Sequence, residues 1–459
     1  MHHDANGLAL STGSAAAAAL FDDLLDGYLG YRADLVPRLA SVLAADPAFG
    51  LAHCFGGYLA LLGFSRAYTQ AAAAAAVEAR RYMGLATPRE QAHVAALEAW
   101  VAGRPENAMV IWEHILTDSP RDILAFRLAH FVNFWHGRPD RMLASVLATE
   151  PHWGPDLPGW DTILACRCFA LEECGRYTGA EAAGRAAIEV NPANPWAAHG
   201  VAHVLEMQGR RAEGIAWINA LRANWEGAGN MRHHLYWHEA LFHLERGDSA
   251  RVLALYDVDF RDLDAPLTRA APDVYIDVQN AASMLFRLER RGVDVGGRWT
   301  ELADKAEARI GDCLSAFTLP HWMMALCATG RFAAAERMLA AIREQALVPG
   351  EAGTILGRAA VPVCAAVLAH ARGAHAEAVA LMRPARSATS AAWAAATPSR
   401  TSWISSISTP PRRRGCRRTC AWCWSGWPRS RPCRRRADPG MPPARAASDL
   451  REMSLERDG

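Results

Sequence analysis

The stretch PWAAHGVAHVLEMQGR, from Pro195 to Arg210, brings His199, His203 and Glu206 close together. No helix breaker follows Gly200, so the spacing predicts one helix, on which residues four apart share a face. Imidazoles beside a carboxylate can bind a ligand or act as acid and base. The pair recurs as His234 and His238, with Trp237 beside them, 35 residues further on. If helices of successive units lie side by side, four imidazoles face one another across two of them, with Glu206 one turn away. His321 in TLPHWMMA opens a helix that can point into the same groove, and Asp273, Asp277 and Asn280 share one face of a later helix. For this acidic face the alternative is a solvated or capping role.

Other chemistry finds less support. HEALFH, His238 to His243, looks like a zinc-protease helix, but its histidines are five apart, about 140° round a helix, and cannot share a metal as HExxH does. No metal and no cofactor is expected. No Gly-x-Ser-x-Gly context marks a nucleophile, and GVDVGGRW lacks the residues of a phosphate loop. Cys166, Cys168 and Cys174 lie in a helical run where buried thiols are the simpler reading. Ala-His recurs at His53, His93, His130, His203 and His370. Histidines repeated in this way can simply pack between helices.

These residues sit in a repeating frame. Glycine followed by a polar residue reopens a helical pattern at Gly103, Gly137, Gly175, Gly209, Gly247, Gly330 and Gly373, and the first five are spaced 34, 38, 34 and 38 apart. Helix-turn-helix units of about 34 residues have this period. The glycine ends one helix in a left-handed conformation, and prolines at Pro47, Pro120 and Pro192 precede the next apolar run. Strand signals are nearly absent. The expected fold is all-α: a tetratricopeptide-like α-solenoid of antiparallel helix pairs over residues 16–384, after a flexible N-terminus at 1–15. Between Gly247 and Gly330 the rhythm breaks, which predicts an insertion with a long helix from about Asp273 to Arg291.

Charge divides the chain unevenly. Residues 386–459 carry 15 arginines against 5 acids, leaving the first 385 with 34 basic and 43 acidic groups, a net of −9. A mildly acidic body argues against a nucleic-acid surface. No apolar run near 20 residues is evident, so no membrane span is expected. The scattered cysteines and the absence of a leader pattern at the start point to a cytoplasmic protein.

The blocks AAHGVAHVLEMQGR, MRHHLYWHEALFHLERGDSARVLALYD and DVQNAASMLFRLERRGVDVGGRW, with PREQAHVAALEAWVAGRPENAMVIWEHIL earlier, together resemble the tetratricopeptide repeat protein 38 family. The likeness runs from about residue 20 to 384. It implies an all-helical repeat fold and no firmly assigned activity. His203, Glu206, His234, Trp237, His238, Ser283 and Arg287 match the family motifs, which adds Arg287 to the candidate ligand-binding set. This chain departs in having His233 where the family usually has cysteine, and Glu239 where an aromatic is common.

The tail departs entirely. From Ala378 to Ala437 there is no acidic residue, and shifting the reading frame restores a string close to the family's continuation. Residues 385–459 are expected to be a disordered, out-of-frame tail. The function expected is that of a helical-repeat protein whose concave groove binds a peptide, protein or small molecule. The alternative is a hydrolase-like enzyme using the histidines and Glu206.

Overall fold

The computed structural model of the chain describes residues 1–392. Helices follow one another throughout, in antiparallel pairs such as Pro88–Val101 with Pro105–Asp118, Trp160–Glu173 with Tyr177–Val190, and Pro195–Met207 with Arg211–Leu221. The architecture is a tetratricopeptide-like helical solenoid.

Every glycine of the period turns a unit. Gly103, Gly137, Gly175, Gly209, Gly247, Gly330 and Gly373 have φ between 67° and 82°. After each, the next N–H bonds the carbonyl five residues back, as in Arg176 to Leu171 and Arg210 to Leu205, both at 2.8 Å. This closure satisfies the last carbonyls of the first helix and forces the chain into an antiparallel second helix. Gly292, φ 78°, makes the same turn, with Val293 bonded to Leu288. The apparent insertion therefore contains a further unit, Tyr275–Arg290 with Trp299–Ala308, preceded by a π turn at Tyr256–Phe260 and a short helix at Pro266–Ala270. First helices start on built caps: Asn194 accepts from Ala197 N–H ahead of Pro195, and Asp122 does the same for Ile123–Trp135.

Three boundaries differ from the sequence reading. Residues 1–15 are not loose: His2–His3 pairs with Ala9–Leu10, Leu10 is fully buried, and Ser11 N–H bonds Glu90 at 3.0 Å. Arg89 and Thr12 add bonds to Ala9 O and Asp46, so side-chain anchors outweigh the polar composition of the segment. At the other end, helix His375–Ala392 runs past residue 385, where alanines favour continuing it. The tail expected to be disordered lies, from residue 393, outside the described residues. Glu351–Ala371 is a single helical run of 21 residues, long and apolar enough to span a membrane and mostly buried within the solenoid. Gly353, Gly357 and Pro362 disguise it in sequence, and the π turn Leu356–Ala360 carries the helix through them.

Turns near the start of the chain contact helices far along it. Only two non-glycine residues among those described have positive φ, Tyr31 at 56° and Phe64 at 45°, and both sit at turns between N-terminal helices. Beside Tyr31, Gly229 N–H bonds Tyr31 O at 2.6 Å and Ala33 N–H bonds Gly227 O. The Tyr31 ring meets Trp196, and Phe64 packs edge-on against Trp135 and Tyr275. Arg66 N–H reaches Asp312 and Arg309 reaches Phe64 O, across some 245 residues of chain. Left-handed backbone at a bulky residue costs about 1–2 kcal/mol. It persists here because the aromatic contacts and long-range bonds over-determine it.

Close helix packing depends on glycines within the helices. A Cβ on Gly214 would stand 2.4 Å from the Phe242 ring, whereas one on the exposed Gly179 would meet only Leu171 at 3.4 Å. Gly214→Ala is expected to lower unfolding stability by about 1–3 kcal/mol. Gly179→Ala is expected to raise it by about 0.5–1 kcal/mol. Denaturant titration checks the pair, and effects of the same sign would contradict this packing.

Candidate functional site

Two first helices, Pro195–Met207 and Met231–Glu245, lie side by side and carry the histidine pairs. Gly200 admits the preceding first helix, Trp160–Glu173, since a Cβ there would lie 2.6 Å from Cys168 Sγ. That approach brings Glu172 to the same centre.

The four imidazoles converge. Ring centroids are 4.1 Å apart for His199 and His203, 4.8 Å for His203 and His238, 4.8 Å for His234 and His238, and 4.9 Å for His199 and His234. One ring nitrogen from each lies within 4.8 Å of the other three. His199, His203 and His238 are buried, and Trp237 stacks on the His234 ring at 5.2 Å, fixing its plane.

Outer partners set the tautomers. His203 Nδ1 lies 3.3 Å from Glu172 Oε2, His238 Nδ1 3.1 Å from Glu206 Oε2, and His234 Nδ1 2.8 Å from Asn280 Oδ1. These three acceptors bind Nδ1–H, so Nε2 of each ring carries a lone pair. His199 Nε2 meets His234 Nε2 at 3.1 Å and donates across that gap. His238 Nε2 and His199 Nδ1 are buried without hydrogen-bond partners.

Burial first, then the neighbouring imidazoles, hold His199 well below the ordinary histidine value, and burial with His238 pushes His234 down to about 3. Both rings are neutral near pH 7. Arg287 lies 5.8 Å from the Trp237 ring and bonds Ser283 O, and burial lowers it to about 10, with Glu206 opposing.

Of the sequence candidates, His199, His203, Glu206, His234, Trp237 and His238 form the centre, with Arg287 against its edge. Asp277 does not join it: the carboxylate is fully buried and takes His233 and Asn230 instead. Asp273 pairs with Arg309. His321 bonds Phe317 O at 3.0 Å, and burial pushes it down to about 4. The packing interpretation of Ala-His is correct elsewhere: His53 bonds Pro47 O and His93 pairs with Asp122. His243 lies by Asp248 and Glu239, so HEALFH supplies no chelating pair. Cys166 and Cys168 are buried thiols held above their ordinary values by burial.

Glu172 was missed, although the period marks it. It stands three residues before Gly175 as Glu206 stands three before Gly209, so each carboxylate serves the histidine of the following unit.

A second feature lies away from the imidazoles. A cavity of about 640 Å³ is lined by residues of both ends of the solenoid, among them Phe64, Trp100, Trp135, Phe317 and Leu356, with Arg66, Arg104 and Glu106 among its charged residues. The indole N–H of Trp135 is buried without a hydrogen-bond partner.

No protein-family model matches the chain. Among solved structures it is similar to the human IFIT1 dimer with m7Gppp-AAAA, at a TM-score of 0.42 and 12% identity over 84% of each chain. A likeness this shallow says nothing about what this chain binds. The class is a helical-repeat protein of tetratricopeptide type, which its own helices and turns establish.

Neutral buried imidazoles make the fold sensitive to acid. His199 and His234 bind protons more readily unfolded than folded, so their contribution is whole above about pH 6.5 and declines as pH falls toward the folded values. Each adds roughly 1.4 kcal/mol of loss per pH unit in that window. Denaturant midpoints measured between about pH 7.5 and 4.5 should begin to fall near 6.5. A flat profile would contradict the buried, neutral assignment.

Proposed function

We propose that this chain is a small-molecule-binding helical-repeat protein related to the tetratricopeptide repeat protein 38 family. The observation that carries this reading is long-range contact within the chain: Tyr31 packs on Trp196, and Phe64 on Trp135 and Tyr275, so early turns are joined to later helices. Phe64 and Trp135 border a cavity of about 640 Å³, partly open to solvent, within the range of about 300–1,000 Å³ usual for small-molecule sites. Family relationship is supported by the placement of the matched positions His203, Glu206, His234, Trp237 and His238 at one centre.

The ligand class follows from the lining. Aromatic and aliphatic walls suit an apolar body, and Arg66, Arg104 and the Trp135 N–H suit an anionic, acceptor-bearing end. An aryl or long-chain carboxylate meets both requirements. The hydrolase alternative is less well supported, because a histidine with its pKa near 3 carries no proton to donate near neutrality and is a weak base.

Aryl carboxylates titrated into the full-length protein should change tryptophan fluorescence saturably and raise the melting temperature, and their uncharged amides should bind more weakly. Arg104→Ala, at an exposed position, should weaken carboxylate binding about tenfold. Saturable binding of extended peptides with no response to carboxylates would defeat the proposal.

A further inference from the structure

We infer that His199, His203, His234 and His238 form a binding site for one first-row divalent transition-metal ion. The inference is independent of the cavity, from which it differs in residues, chemistry and test.

Geometry is the first support. A tetrahedral ion with metal–nitrogen bonds of about 2.0–2.1 Å sets its ligands about 3.4 Å apart. His199 Nε2 and His234 Nε2 already lie 3.1 Å apart, and all four donor atoms fall within 4.8 Å of one another. Small side-chain rotations close the remaining difference. A space bounded by rings 4.1 to 5.1 Å apart accepts a single atom rather than an organic ligand.

Tautomers are the second. Metal-ligating histidines ordinarily give their other N–H to a carboxylate or carbonyl, which orients the ring and raises its basicity. Glu172, Glu206 and Asn280 perform that service for His203, His238 and His234. One nitrogen of each ring lies at a common centre, and there His234 Nε2 accepts from His199 Nε2–H, a proton that passes to His199 Nδ1 when His199 binds the ion. His238 Nε2, in a fully buried residue, has no hydrogen-bond partner, a costly arrangement for an atom that serves only packing.

Charge is the third. Imidazole ligands bring no charge to a bound ion, and the Glu172 and Glu206 carboxylates behind them match a doubly positive one. Arg287 sits beyond Trp237 and near Glu206, outside the ring of donors. Nitrogen donors select zinc, copper, nickel, cobalt or ferrous iron over magnesium and calcium. His199 has no outer acceptor on Nδ1, so it is the least firmly held ligand and the position most open to exchange.

Spacing within HEALFH argued against a metal on one helix. The proposed site instead takes its ligands from two helices, an arrangement that the stacking of units creates.

The test uses the full-length protein without an affinity tag, cleared of metal by a chelator and titrated with Co²⁺ and Zn²⁺. One equivalent should bind, with the visible absorption of four-coordinate Co²⁺ displaced by Zn²⁺. His203→Asn or His238→Asn should weaken binding by more than about 100-fold, and Glu206→Gln by about 10- to 100-fold. His199→Asn should weaken it least among the four. His321→Asn, a buried histidine outside the set, should leave it unchanged. Circular dichroism reports folding of each variant, and Glu206→Gln, at the most exposed of these positions, keeps the test decisive where a histidine variant fails to fold. Absence of stoichiometric binding at micromolar metal, or binding indifferent to both His238→Asn and Glu206→Gln, would overturn the site. Carboxylate binding at the cavity is read separately, so either result stands without the other.

Discussion

The contact between helices Pro195–Met207 and Met231–Glu245 is the constraint on which the interior depends. Each helix carries histidines four apart, and stacking at one unit's offset turns two short pairs into a ring of four. Small residues set how close the flanking helices come to this pair: Gly214 lets Arg211–Leu221 meet Phe242 on Met231–Glu245, and Gly200 lets Pro195–Met207 meet Cys168 on Trp160–Glu173. A wider spacing of Trp160–Glu173 from Pro195–Met207 would weaken the buried Glu172–His203 contact, and lost pairing in a buried setting costs several kcal/mol. Backbone packing and polar satisfaction are thus one requirement at this position.

The contacts between distant parts of the chain depend on a different kind of interaction. The solenoid units contact their neighbours, as repeat proteins do, but Tyr31 and Phe64 bind the first turns of the chain to segments about 200 and 245 residues away. Such contacts make the two ends of the array interdependent, and unfolding should be more cooperative than a sum of units. The positive φ at both residues fits that role, since strained turns survive only where surrounding contacts hold them. Hydrophobic packing of Phe64 with Trp135 and Tyr275 supplies the compensating energy.

Local rules made the frame legible. Glycine spacing located seven turns, each now seen with positive φ, because a left-handed C-cap is written by one residue type. His199, His203, His234, His238 and Glu206 were legible through the same period. What stayed hidden depends on contacts far apart in sequence. Nothing in the residues around Phe64 announces Asp312 or Tyr275, and nothing in the first twelve residues announces Glu90 or Asp46. Asp277 shares a helix face with Asn280, and His321 opens a helix of its own, yet both find other partners, since each is met by many neighbours and spacing does not choose between them. Gly292 was passed over because its flanking residues differ from the other turns, although its backbone does the same work.

The paired carboxylates give the clearest link from repeat to chemistry. Glu172 and Glu206 occupy equivalent places in consecutive units, and each holds the Nδ1 of a histidine from the unit that follows. A single packing histidine needs only one local acceptor, as His53 and Pro47 O illustrate. Repeating a histidine and its carboxylate in register instead stacks two orienting pairs against each other and brings both rings to one centre. Burial lowers His234 to about 3 and keeps it a neutral donor of electrons. A site of this kind favours coordination over proton transfer, because the property that spoils these rings as acids, a lone pair retained at neutral pH, is what a metal ion requires.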